Sequence, residues 1–174
     1  MKKSLPAWAV LGIITLIAGL ALGGVYALTK DAIAERNVLA AQAARMAVLP
    51  EADSFTEQTP PEGLDAFFLA LKGDAVIGKI GVITVKGYGG DIEIVVGVNM
   101  EGVLQGISVG GSDFNETVGL GARVKEGAFT SQFTGKSPPL TVNADVDAVT
   151  GATISSRAVT DGVNQAAALL EAAE

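Results

Sequence analysis

The chain has 174 residues, 49% of them hydrophobic, and a formal net charge of -7. It holds no cysteine and no histidine, which excludes disulfides, thiolate metal sites, a cysteine nucleophile, a Ser-His-Asp triad and a histidine-ligated metal or haem. Its acidic balance argues against nucleic acid as a partner, because phosphate binding needs a basic face.

The first element is "AWAVLGIITLIAGLALGGVYALT", residues 7–29, which carries no charged side chain. At roughly 1.5 Å per residue a helix of this length crosses a hydrocarbon core about 30 Å thick. Trp8 and Tyr26 stand near its two ends, as interfacial aromatics do. The expectation is a retained single-pass anchor over 1–29, because a cleaved signal has a shorter apolar region and a small-residue cleavage site. Charge alone gives little on orientation. Lys2 and Lys3 favour a cytoplasmic N-terminus, but Lys30, Arg36 and Arg45 follow the segment.

Residues 30–50 read as an alanine-rich stalk helix closed by Pro50. A single folded domain is expected over 51–174. It opens on a loop, "ADSFTEQTPPEGLD", stiffened at Pro60-Pro61. "AFFLALKGDAVIGKIGVITVKG" then places Gly73-Asp74 between two apolar runs, a hairpin signal. "DIEIVVGVNMEGVLQGISV" repeats the pattern around Glu101-Gly102. Four strands without intervening helices predict a mainly antiparallel sheet. The stretch from Gly110 to Ser137 is irregular and glycine-rich, yet it carries Phe114, Phe129 and Phe133. "SPPLTV" reads as a short further strand. In "SSRAVTDGVNQAAALLEAAE", Val159, Val163, Ala166, Ala167 and Leu170 share one helical face. The fold class is therefore α+β, a transmembrane helix followed by one domain with helices flanking the sheet.

The least ordinary stretch is "DAVTGATISSR", Asp147 to Arg157. One reading makes Thr153 or Ser155 the N-cap of the last helix, with Gly151 serving the turn before it. The other starts from the helix N-terminus, whose free N–H groups and positive dipole end attract phosphate. A Thr153 hydroxyl beside that phosphate would bind it or be esterified to it. The stretch is neither a Walker A loop nor a dinucleotide-binding fingerprint.

"DAVTGAT" resembles the flavinylation motif Asp-x-x-Ser/Thr-Gly-Ala-Thr of FMN-binding domains, through Asp147, Thr150, Gly151, Ala152 and Thr153. "NETVGLG" resembles the Glu-Thr-Pro-Gly-Leu-Gly segment of the same domains, through Glu116, Thr117, Gly119, Leu120 and Gly121. "FTSQFTGK" and "GYGGDIEIVVGVNMEG" resemble two further segments, and the likeness spans nearly the whole chain. Val118 stands where that family usually has proline, and Phe114 where it often has histidine. The chain resembles the G subunits of Rnf complexes, membrane-bound ferredoxin:NAD oxidoreductases coupled to Na⁺ or H⁺ transport.

That resemblance implies FMN as cofactor, joined by a phosphoester to Thr153 by a flavin transferase that uses FAD. Thr153 is then a tether made once, with no catalytic or metal-binding residue implied. Glu116 and Thr117 are the candidates for polar contacts to the flavin, with Gly119, Leu120 and Gly121 beside them. Thr150, Gly151 and Ala152 complete the attachment turn. Lys136 either faces the phosphate or is a solvated lysine. Tyr88 either stacks on the flavin or closes its loop. Phe129 and Phe133 either shield the ring or pack in the core. The implied partners are the other membrane and iron–sulfur subunits of such a complex, the transferase during maturation, and membrane lipid. The implied location is the inner, cytoplasmic membrane, with the domain extracytoplasmic. Two alternatives remain: the homologous FMN-carrying protein of a Na⁺-translocating NADH:quinone oxidoreductase, and a membrane-anchored assembly module without redox chemistry.

Overall fold

The computed structural model describes residues 6–173, so the Lys2-Lys3 pair lies outside the described residues. The chain divides into two compact units that part between Ala40 and Ala41. The first is the greater part of a continuous helix, α1, Ala7–Val48. Its apolar stretch is long enough to cross a membrane, and none of it is buried within the protein. Such a surface is stable in lipid, where helical backbone groups satisfy one another and apolar side chains face the acyl chains.

The second unit is organised by its two hairpins. Strands β2 (Ala66–Lys72) and β3 (Ala75–Lys86) meet at Gly73-Asp74, and β4 (Asp91–Asn99) and β5 (Leu104–Gly110) meet at the expected Glu101-Gly102 turn. Asn99 Oδ1 fixes the second turn by accepting from the N–H groups of Glu101 (3.0 Å) and Val103 (2.9 Å). A strand not expected from the sequence, β1 (Ser54–Gln58), adds an antiparallel edge against β2. The sheet is a five-stranded meander in the order β1-β2-β3-β4-β5, antiparallel throughout. "SPPLTV" does not form the expected strand. Val142 makes only an isolated bridge to Val146, and Pro138 and Pro139 have no N–H to give a ladder.

Alternation along β4 decides what each face of the sheet holds. Ile92, Ile94, Val96 and Val98 face a core completed by α3 (Thr153–Ala172), through Val159, Val163, Ala166 and Leu170. Phe129 and Phe133 belong to this core, packed edge to face at 5.4 Å, so ordinary packing describes them. Gly162 lets α3 lie close on the sheet, since a Cβ there would come within 2.7 Å of Ile94 and 2.8 Å of Val85. Val95, on the opposite face, packs with Val48 and Leu49 at the end of α1. Between β5 and α3 the chain makes a short helix, α2 (Gly127–Thr130), flanked by 3-10 turns at Gly121–Lys125 and Ser131–Phe133.

Candidate functional site

The motif forms a tight turn that runs directly into α3. Ala152 N–H donates to Val149 O at 2.9 Å, which closes a four-residue turn with Thr150 and Gly151 at its centre. Gly151 has φ +80°, the conformation a type II turn demands at that position and one that glycine adopts without strain. The helix starts at Thr153 without a side-chain cap, so neither Thr153 nor Ser155 plays the capping role that one reading of the sequence gave them. Its backbone ladder begins where Ser156 N–H donates to Ala152 O. The N–H groups of the first turn have no partner within the helix and carry its positive end.

Ser156 locks the turn to the helix. Its hydroxyl donates to Ala152 O at 2.9 Å and accepts from Val149 N–H at 3.0 Å, and the residue is wholly buried. Ser155 has a different partner: its Oγ donates to Glu116 Oε2 at 2.8 Å. Glu116 is itself buried, and its Oε1 accepts from the N–H groups of Tyr88 (2.8 Å) and Gly89 (3.0 Å). The segments around Tyr88, Glu116 and Thr153 are therefore joined by one carboxylate.

Together they wall a pocket of about 410 Å³, a size suited to a cofactor ring. It is lined by Tyr88, by Glu116, Thr117, Leu120 and Gly121, and by the run from Gly151 to Ser155. Tyr88 is 71% exposed at the mouth and Thr153 is exposed on the rim. No lysine or arginine is among the lining residues. A second tight turn stands against the first. Leu120 N–H donates to Thr117 O at 3.1 Å, with Val118 and Gly119 (φ +79°) at its centre. A Cβ on Gly151 would come within 3.1 Å of Leu120 Cδ2, so the two turns touch at Gly151 and Leu120.

The first half of the motif faces elsewhere. Asp147 and Thr150 line a separate hollow of about 440 Å³ with Arg123, Glu126 and Gln132. There the Gln132 amide brackets the motif backbone, accepting from Asp147 N–H at 2.8 Å and donating to Asp147 O at 3.3 Å.

Of the residues singled out from the sequence, Tyr88, Glu116, Thr117, Leu120, Gly121, Gly151, Ala152 and Thr153 meet at the pocket. Gly119 shapes it through its turn. Thr150 opens on the second hollow, and Lys136 is drawn away to donate from Nζ to the Asp145 carbonyl. The sequence pattern does not point to Ile154 or Ser156, and it gives Ser155 only a capping role. Among the described residues no cluster of three acidic side chains stands ready to hold a metal ion.

The FMN-binding domain family matches residues 87–168. The chain is similar to the G subunit of the Na(+)-translocating ferredoxin:NAD(+) oxidoreductase complex from Acetobacterium woodii, 33% identical over 89% of this chain and 86% of that one. It is similar also to the G subunit of the proton-translocating ferredoxin:NAD(+) oxidoreductase complex from Clostridium ljungdahlii, 34% identical over 86% and 82%. Among solved structures it is similar to the C subunit of the Na(+)-translocating NADH-quinone reductase from Parabacteroides distasonis, 22% identical over 61% of each chain, with a TM-score of 0.49.

Proposed function

We propose a function from the premise of kinship: the chain belongs to the G subunits of ion-translocating ferredoxin:NAD(+) oxidoreductase complexes, the Rnf family. It is a membrane-anchored, FMN-binding member of such a complex, serving electron transfer beside the other subunits. The finer reading is that FMN is held by a phosphoester to Thr153 Oγ1. In forming it, the threonine oxygen bonds to phosphorus and loses its proton, and with FAD as donor AMP departs, a reaction assigned to a flavin transferase. The domain lies on the extracytoplasmic side, with α1 in lipid.

The observation that carries the covalent reading is the position of an exposed threonine hydroxyl on the rim of a pocket that lacks a cation. The bare N-terminus of α3 favours an anion there. Yet the lining offers no lysine or arginine and does include a carboxylate. Helix-end electrostatics contribute only about 0.3–1 kcal/mol at exposed sites. A phosphate bound there without a covalent bond would be held weakly, and an ester tether removes that weakness.

Bound FMN supplies the electron carrier; the chain supplies position and surroundings. Thr153 anchors the phosphate end. Gly151 and Ala152 leave the approach open, while Leu120, Ile154 and the Tyr88 ring offer apolar surface to a flavin ring. Tyr88 at the mouth limits water on one side. The test is to co-express the chain with a flavin transferase and run a denaturing gel. The expected result is a fluorescent band that disappears in Thr153→Ala. A band that stays fluorescent in that variant, or one that is dark in the unaltered chain, rejects the tether.

A further inference from the structure

Glu116 has a partner for each of its carboxylate oxygens, and all of them belong to the chain. Oε1 accepts from Tyr88 N–H and Gly89 N–H, and Oε2 from the Ser155 hydroxyl. Every contact comes from a donor, which suits the acceptor-only, ionised carboxylate. The residue is 6% exposed. None of the three ion pairs among the described residues involves it. A negative charge is thus buried in the pocket wall without a cation, stabilised by dipoles alone.

The surrounding backbone is shaped for that carboxylate. A Cβ on Gly87 would collide with Oε1, and one on Gly121 would collide with Oε2. A Cβ on Gly89 would strike the Asn115 carbonyl next to it. Three glycines from two segments therefore let the backbone close around one side chain. Burying a charge is costly unless it is fully hydrogen-bonded, and removing one partner of such a network leaves the rest unpaired. An arrangement this demanding needs a return beyond packing.

We propose that Glu116 is a positioning residue that ties the Tyr88 loop to the first turn of α3 and, as a buried negative charge in the pocket wall, lowers the reduction potential of the flavin held there. The proposal rests on the reading of this pocket as the FMN site. Adding electrons to the ring adds negative charge, and a carboxylate in a low-dielectric wall opposes that addition. Its backbone bonds also hold Tyr88 at the mouth, so geometry and charge come from the same group.

The experiment uses the full chain in detergent with two readouts. In the flavin-loaded protein, Glu116→Gln keeps the size of the side chain and its acceptor for Tyr88 and Gly89 but removes the charge. At an ambient potential where the unaltered protein is half reduced, Glu116→Gln should be reduced at least fivefold over oxidised. A 1:1 ratio in that variant overturns the electrostatic part. In flavin-free protein, amide hydrogen exchange at Tyr88 and Gly89 should quicken at least tenfold in Glu116→Ala, with the core amide of Val96 unchanged. Gly121→Ala displaces the carboxylate without removing it and should quicken the same two amides. Unchanged exchange at Tyr88 and Gly89 in both variants overturns the positioning part. A chain that takes up no flavin at all refutes the functional reading and with it the potential argument, whereas the exchange measurement still decides the positioning role.

Discussion

The two hollows that share the Val149–Ala152 turn are built from one motif but differ in charge: one includes an arginine and the other has no cation. The pocket that Thr153 overlooks has no cation in its lining and a buried carboxylate in its wall. The hollow that Asp147 and Thr150 overlook has Arg123, Glu126 and Gln132 in its lining beside the apolar Ala128, Phe129, Ala148 and Val149. Gly151 is the point where the chain turns from one to the other. A short motif can thus face two environments at once. Under the proposed tether, its end presents the hydroxyl that takes the cofactor, and its beginning presents an acid and an amide-bracketed backbone to the outside, where a modifying enzyme would read it.

The comparison breaks first at the turning point. Gly151→Val forces a β-branched residue to φ +80° and against Leu120. It should cost about 3 kcal/mol, read from denaturant unfolding of the chain, and should cut covalent flavin at least tenfold. Ser156→Ala comes next. It leaves the Val149 N–H without its partner and unties the turn from α3, at about 2 kcal/mol, again by unfolding. Val118→Pro should act the other way. Val118 is 91% exposed and sits at the second position of the Thr117–Leu120 turn, where proline is favoured. A gain of about 0.5 kcal/mol is expected, with flavin content unchanged. Asp147→Asn sharpens the contrast most finely. Asp147 is exposed, so stability should move by less than about 0.5 kcal/mol. The rate of flavin attachment should nevertheless fall, measured as fluorescence gained per minute with a fixed amount of transferase.

Much of this was legible in the sequence because the signals were local. Both hairpin turns appeared at Gly73-Asp74 and Glu101-Gly102, since glycine between two apolar runs has few other uses. The α3 face followed from helical spacing. Strand β1 was hidden because "SFTEQ" has one half-buried residue, Phe55, and otherwise faces solvent, so its pairing with β2 is decided by the sheet and not by its own pattern. "SPPLTV" erred the other way, as its apolar ends suggested a strand that the proline backbone denies. At the site, the sequence marked Tyr88, Glu116 and Thr153 as separate candidates, and the structure brings them to one pocket. What escaped was the bonding that gathers them, because Glu116 meets Ser155 across 39 positions and no local pattern marks such a pair.

The most direct test of the account is the mass of the chain after co-production with a flavin transferase, followed by peptide mapping. An increment of one FMN less one water is expected, carried wholly by the peptide that contains Thr153. An unmodified mass, or the same increment on a peptide without Thr153, would contradict it.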